Sequence, residues 1–309
     1  MQTLEELRRR IDNAGDMQSV VSSMKVLAVV GIRQFEKSLS SLTDYSRAVE
    51  LGLQAVLQYG PPEIRKAIGT AGTMWHYGAA GASASGDAVI TMILGSEQGL
   101  SGQFNEQIVS FALKTMDGLG IVPQRRRLVT LGDHAAFRLK AMNMAVEQSF
   151  PIQGSVDGMA RSVREIFSFL GARRQGTDTP VLIFHNKPLS GAHYQPHMSR
   201  LLPVDVDFLK DLISRPWPAK SIPTFTMDAW LLFRSLIRQY IRIMVERSYV
   251  ESLLSENNSR LLAMQVAEKN IGEYLEDLKH DFNNRRQGEI TAELLDIVAG
   301  SEALSANYF

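Results

Sequence analysis

The stretch Gly95-Ser96-Glu97-Gln98-Gly99-Leu100-Ser101-Gly102-Gln103-Phe104-Asn105 is where this chain comes nearest to a chemical motif. It follows an apolar run and opens a helical pattern, which is where a phosphate-binding loop sits in a nucleotide-binding domain. Its spacing, however, fits neither G-x-G-x-x-G nor the Lys-Ser/Thr ending of a P-loop. A tight strand-to-helix turn whose glycines serve backbone geometry is the better reading. Ser101 stands in G-L-S-G, not in the G-x-S-x-G elbow of a nucleophilic serine. The histidines, His76, His134, His185, His193, His197 and His280, show no ligand spacing on a helix, and His193 and His197 flank Pro196. They read as surface or linker side chains. With no cysteine there are no disulfides and no thiolate metal sites. No nucleophile–base pair can be assembled, so the expectation is a chain without catalytic residues, cofactor or metal.

Charge is more informative. The 33 basic and 33 acidic residues cancel, which argues against nucleic acid as the main partner. Arg234, Arg238 and Arg242 nevertheless form a basic stripe at i, i+4 spacing, and Glu273, Glu276, Asp277 and Asp281 gather acidic charge further on. Such clusters are either solvated faces with local pairing or patches presented to different partners. The opening MQTLEELRRR has no apolar core run and does not read as a secretory signal. Residues 67–86 carry no charge, but their five glycines and many Ser, Thr and Ala residues suit a flexible loop better than a membrane span.

The elements that would position these residues are of two kinds. Leu7, Ala14, Val21, Ala28, Phe35 and Leu42 recur every seven residues, with Leu4, Ile11, Ile32 and Leu39 at companion positions. From Phe233 the pattern continues through Leu236, Tyr240, Ile243, Arg247, Val250, Leu254, Asn257, Leu261, Met264, Glu268, Ile271, Leu275, Leu278 and Phe282, of which only Arg247, Asn257 and Glu268 are polar. This is a coiled-coil seam, and the simplest partner for one end of the chain is the other end. The polar seam residues, with Lys25 at a companion position of the first helix, either set register or mark where one helix leaves the other.

Between the helices the period changes. Ala88 to Leu94, Arg127 to Gly132 and Pro180 to His185 read as buried strands, and Arg200 to Phe208 as an edge strand. Phe104 to Met116, His134 to Met142 and Val156 to Leu170 read as helices. Alternation of this kind implies βαβ units and a largely parallel sheet. The fold expected is α/β, an antiparallel coiled coil of the N- and C-terminal helices with an inserted Rossmann-like α/β domain. Its parts are an N-terminal coiled-coil helix (1–59), a Gly/Pro-rich linker (60–86), the inserted domain (87–210), a Pro-rich linker (211–227) and a C-terminal coiled-coil helix (228–309), with Asp228 as its N-cap. Residues 228–298 would make a rod of roughly 100 Å, against about 80 Å for the first helix. Part of the second helix must therefore project alone or be sheathed by another protein.

The residues at both ends resemble the gamma subunit of F-type ATP synthases, the rotating central shaft. Ser255-Glu256-Asn257-Asn258-Ser259-Arg260-Leu261-Leu262-Ala263-Met264 is similar to the family's S-E-x-x-x-R-x-x-A-M. Phe282-Asn283-Asn284-Arg285-Arg286-Gln287-Gly288-Glu289-Ile290-Thr291-Ala292-Glu293-Leu294-Leu295-Asp296-Ile297-Val298 resembles Y-N-x-x-R-Q-x-x-I-T-x-E-L-x-E-I-V. Arg10-Ile11 and Met24-Lys25 stand where the family has R-I and A-M-x-M-V-A, and Gly95 to Asn105 is similar to T-S-D-R-G-L-C-G-x-x-N. Val26, Val29-Val30-Gly31 and Glu97-Gln98-Gly99 depart from the pattern, as does most of 60–86 and 188–225, in the manner of a divergent branch.

The resemblance implies a non-catalytic central-stalk rotor that couples ion flow to conformational change at catalytic sites on other subunits. It implies a hexameric ring of alpha and beta nucleotide-binding subunits, an epsilon-type stalk subunit and a membrane proteolipid ring as partners. The place implied is peripheral, on the cytoplasmic face of the bacterial inner membrane. By the same resemblance Arg286, Gln287 and Thr291 contact the catalytic subunits, Met24 and Lys25 lie near their acidic lever, and no nucleotide is bound. Two other classes fit parts of the pattern: a nucleotide-binding α/β enzyme using Gly95 to Gly102, and a coiled-coil adaptor with no rotary role.

Overall fold

A computed structural model describes residues 3–71, 88–173 and 179–306. In chain order the elements begin α1 (Leu4–Tyr59), α2 (Pro62–Ala71), β1 (Val89–Leu94), α3 (Phe104–Gly118), β2 (Arg126–Leu131) and α4 (Asp133–Ala141). They continue β3 (Val146–Phe150), α5 (Val156–Arg173), β4 (Val181–Pro188), β5 (Tyr194–Leu202), α6 (Val206–Ser214) and α7 (Ala229–Ala306). Both long helices start on side-chain caps. The Glu6 N–H donates to Thr3 Oγ1 at 3.2 Å, and the Leu231 N–H to the Asp228 carboxylate at 2.9 Å. The uncharged stretch 67–86 lies mostly outside the described residues; its first residues end α2.

The described chain forms two compact units, Met1–Ala28 with Leu261–Phe309, and Val29–Arg260. In the first, Leu7, Ala14 and Ala28 of α1 and Met264, Leu275 and Leu278 of α7 are buried. Lys25 pairs with Glu268 at 2.5 Å, and Arg10 donates to the Tyr274 hydroxyl at 2.7 Å. The lower-numbered residue of α1 meets the higher-numbered one of α7, so the two segments run antiparallel. Two of the polar seam positions thus answer each other across the helix pair, as register-setting residues do.

The second unit is built on a five-stranded sheet in the order β3-β2-β1-β4-β5. Its pairings are parallel except β4 with β5, and the central register places Met92 between Val129 and Ile183. All six residues of β1 are buried, because helices cover both faces of the sheet. One face packs on α3 and α4 through Ile108, Ala112, Met116, Ala135 and Leu139. The other packs on α5, on Phe35 of α1, and on Val245, Tyr249, Val250, Leu253 and Leu254 of α7. A further cluster joins the end of α1 (Val49, Leu53, Leu57) to α2, α6 and the first turns of α7. There Gln58 donates to the carbonyls of Ile213 at 3.0 Å and Arg215 at 2.7 Å, satisfying acceptors that the end of α6 leaves open.

Two features differ from the sequence expectation. The edge strand is Tyr194–Leu202, and most of 200–208 is not strand. Asp205 accepts from the Asp207 N–H at 3.0 Å and starts α6, whose apolar residues at 206, 209, 212 and 213 follow a helical period. The strand β3 (VEQSF) was not foreseen either. It borders only β2 and is mostly accessible, so its polar residues hide the strand pattern.

Along α7 the seam describes only part of the burial. From Val245 to Arg260 every residue is buried except Arg247 and the half-buried Asn257. This segment is a core helix of the sheet unit, covered on all sides. Asn257 donates to the Leu253 carbonyl at 2.7 Å, and its amide fills the space beside Gly31, where a Cβ would lie 2.8 Å from Oδ1. Phe35, buried where α1, the sheet and α7 meet, is the largest side chain that α1 gives this core. Phe35→Ala should cost about 3 to 5 kcal/mol in denaturant unfolding of the whole chain, whereas Val30→Ala, on the exposed face of α1, should cost under about 0.5 kcal/mol.

Candidate functional site

The loop after β1 consumes its own polar groups. Asn105 Oδ1 accepts from the Ser96 N–H at 2.9 Å and its amide donates to Ser96 Oγ at 2.8 Å, while Ser96 Oγ donates to the Gln98 carbonyl at 2.8 Å. A Cβ on Gly95 would stand 2.4 Å from Ala135 Cβ, and Leu100 and Gly102 have positive φ angles of 62° and 58°. These glycines serve close packing and a left-handed backbone, as the turn reading requires.

In an open α/β sheet, ligands bind outside the carboxyl ends of the strands where the strand order reverses, here between β1 and β4. That crevice is filled by α7. Ser255 Oγ donates to the Asn186 carbonyl at 2.9 Å, and Ser259 Oγ to the Ser101 carbonyl at 2.6 Å. The Tyr194 hydroxyl lies 3.3 Å from Ser259, and Asn186 donates to the Phe104 carbonyl at 3.2 Å. On the same helix Tyr249 is fully buried, its hydroxyl accepting from the Gln153 N–H at 2.6 Å and donating to the Gln153 carbonyl. The polar groups of the crevice thus hold a helix of the same chain.

The histidine expectation needs correction. His185 is a core residue at 1 % exposure, and its Nε2 lies 2.8 Å from Glu251 Oε2. His197, its neighbour in the β4–β5 ladder, sets its ring edge-on at 5.5 Å. Arg247 donates to the other Glu251 oxygen at 2.9 Å. Burial would raise the Glu251 carboxyl, but the hydrogen bonds from His185 and Arg247 together hold it below the usual carboxylate range. Burial, with the charges of His185 and Lys187, pushes His197 down. One turn on, Glu256 pairs with Arg260 at 2.6 Å, and there burial prevails and pushes the carboxyl up. The local sequence offers one signal for His185: a strand buried on both faces leaves no exposed position, so a polar residue in it must find a buried partner. Glu251, 66 residues away, gives no local sign of being that partner.

The residues expected to meet partners lie apart from this buried network. Met24 and Lys25 are half-buried on α1, and Lys25 is engaged by Glu268 within the chain. Arg286, Gln287 and Thr291 are exposed on α7, where Thr291 Oγ1 donates to the Gln287 carbonyl at 2.8 Å. Around them Ile290, Leu294, Leu295, Ile297 and Val298 are also exposed, Leu295 at 63 % and Ile297 at 68 %. Beyond Arg285 no described residue up to 299 is even half-buried.

The family model for ATP synthase matches residues 3–304. The chain belongs to the ATP synthase family. It is 24 % identical to the ATP synthase gamma chain of Acetivibrio thermocellus, over 98 % of this chain and 100 % of that one. The gamma chain of Rhizorhabdus wittichii is 26 % identical over the same shares of the two chains. Among solved structures the fold resembles the rotor of the Euglena gracilis mitochondrial ATP synthase, with a TM-score of 0.59 and 14 % identity, covering 93 % of this chain and 98 % of that one. It also resembles the central stalk of the Tetrahymena thermophila mitochondrial enzyme, with a TM-score of 0.53, 15 % identity, and coverage of 80 % of this chain and 99 % of that one.

Within the ATP synthase family the role is that of the gamma chain. The His185–Glu251–Arg247 group then has a structural task, fixing α7 to β4. The sign of its pH dependence follows from Glu251. Its folded pKa lies below the unfolded value near 4.5, so the stability it adds is present above that value and is lost as pH falls through the folded one. Glu251→Gln should therefore lower stability by about 3 kcal/mol at neutral pH and flatten the acid limb of the stability curve, as read by denaturant titrations from about pH 3 to 7.

Proposed function

We propose that the chain turns inside a hexameric ring of alpha and beta subunits, with the C-terminal turns of α7 as the part the ring encloses. The observation that carries this reading is the uncovered end of α7, where the polar Arg286, Gln287 and Thr291 stand among exposed Ile290, Leu294, Leu295, Ile297 and Val298. An apolar face this long, left bare by its own chain, suits a surrounding partner. Arg286, Gln287 and Thr291 are the polar contacts to the catalytic subunits, and Met24 and Lys25 lie near their acidic lever. The sheet unit meets the epsilon-type stalk subunit and the membrane proteolipid ring. Among the described residues no helix is long and apolar enough to cross a membrane. The membrane connection runs through those partners, at the cytoplasmic face of the bacterial inner membrane.

The mechanism is coupling by differential contact. A rod that is not symmetric presents a different face to each position of the ring, so turning it biases each nucleotide site between conformations of different affinity. The chain supplies no acid, base or metal to the chemistry. It supplies shape, and a few polar contacts that change partners as it turns.

Native mass spectrometry of the tagged chain from its own cells tests the assembly. One copy of this chain with three copies each of two nucleotide-binding subunits is the expected result, and a lone chain or homodimer under conditions that preserve such rings would refute it. In the assembled complex, Arg286→Ala with Gln287→Ala should lower ATPase turnover about ten-fold, the effect of about 1.4 kcal/mol of lost contacts. The melting temperature of the isolated chain should stay unchanged, because both side chains are exposed.

A further inference from the structure

The basic stripe at the start of α7 finds a companion in space. Arg238 and Arg242 line a groove together with Gln239 and, from α5, Val163, Arg164 and Phe167. All six residues lie within the sheet unit. The groove has a volume of about 260 Å³, room for one large side chain. Its floor is the apolar Val163 and Phe167, and three guanidinium-bearing residues stand at its rim. Arg242 is engaged, donating to Glu246 at 2.8 Å. Arg164 and Arg238 are exposed and form no ion pair with another described residue. Glu165 follows Arg164 in sequence but does not line the groove.

We propose that this groove is a docking site for an acidic segment of a partner subunit, one that inserts an aromatic or aliphatic side chain between Val163 and Phe167 and sets flanking carboxylates on Arg164 and Arg238. Charge complementarity selects the occupant. Arginine pairs with carboxylates through two parallel N–H···O bonds and is retained at interfaces where its planar head is half desolvated. The floor selects among anions. A phosphate headgroup or a free phosphate would be solvated by polar groups on every side, whereas this groove offers hydrocarbon below its charges. An apolar anchor inside a ring of polar groups is the usual build of a binding hot spot. The surface is distinct from the exposed end of α7, which the ring encloses.

The inference rests on the rotor reading, because the partner is a subunit of the assembled complex. Its test is site-specific photo-cross-linking there, with p-benzoylphenylalanine at position 168, exposed on α5 one turn from Arg164, and the product peptides identified by mass spectrometry. The expected result is a cross-link to a segment of another subunit holding at least two carboxylates beside an apolar residue. Raising the salt from about 0.1 to 0.5 M, or adding Arg238→Glu, should cut the yield at least five-fold. A product with lipid, a product with an uncharged segment, or no product in an assembled complex would overturn the proposal. Failure of the chain to assemble at all would count against the rotor reading instead. Arg164 and Arg238 make no ion pair that the fold depends on, so thermal melting of Arg238→Glu should match the parent chain. A lowered melting point would show that Arg238 is structural and would itself overturn the assignment.

Discussion

The burial of α7 on every side between Val245 and Arg260 is the constraint on which the rest depends. An ordinary surface helix hides one stripe and solvates the remainder. Here the apolar stripe (Val245, Tyr249, Val250, Leu253, Leu254) packs on the sheet core, and the other faces carry Ser252, Ser255, Glu256, Ser259 and Arg260, also buried. A helix with that many buried polar groups must satisfy them or lose stability. Ser255 and Ser259 do so on the carbonyls of Asn186 and Ser101, Glu251 on His185 and Arg247, and Glu256 with Arg260 through one bond, while Ser252 Oγ has no hydrogen-bond partner among the described residues. Each bond has its own direction. The bonds of Glu251 to His185, Ser255 to Asn186 and Ser259 to Ser101 fix the rotation and height of α7 against β4 and the loop after β1, where an all-apolar contact would tolerate slippage.

The same arrangement explains why an α/β sheet of nucleotide-binding appearance serves as a mount. The reversal of strand order beside β1 makes the crevice that dinucleotide enzymes use. In this chain α7 lies in it, and two of the loop glycines that invite comparison with a phosphate cradle are spent on contact with Ala135, at Gly95, and on a left-handed backbone, at Gly102. The fold alone would mislead. The chemistry is decided by what occupies the site.

What the sequence reveals and conceals follows from the range of the interactions. The seven-residue repeat of α1 is legible because burial at Leu7, Ala14, Ala28 and Phe35 follows directly from helical geometry. The continuous apolar runs of β1 and β4 are legible because both sheet faces are covered. The buried polar face of α7 is not, since Ser252, Ser255 and Ser259 have the composition of a solvated surface, and only the sheet that meets them makes them interior. His185 is hidden for the same reason, its partner being remote in sequence. The edge elements are hidden by accessibility: β3 and β5 border one strand each, so their alternation is weak, and Pro196 further masks β5. Among the expected contact residues, Lys25 shows what the sequence conceals about an intrachain partner. Its charge was expected to face a partner's acidic lever, and within the chain it already meets Glu268.

The Lys25–Glu268 pair also bears on how a rotating shaft can work. Both side chains are about one third exposed, and an ion pair so placed contributes little net stability, because water competes for each charge. A weak, accessible pair can exchange one carboxylate for another as a partner passes, at small cost either way. The buried pairs at Glu251 and Glu256 are of the opposite kind, since removing one member would strand the other charge in the interior. The chain thus keeps its inexchangeable electrostatics where α7 is anchored to the sheet and its exchangeable ones near the surface. The turns beyond Arg285 are exposed throughout, the apolar Ile290, Leu294, Leu295, Ile297 and Val298 standing among the solvated charges of Arg286, Glu289, Glu293 and Asp296. In the proposed ring, charges so solvated make shallow contacts that water can replace, where deep minima would stall rotation.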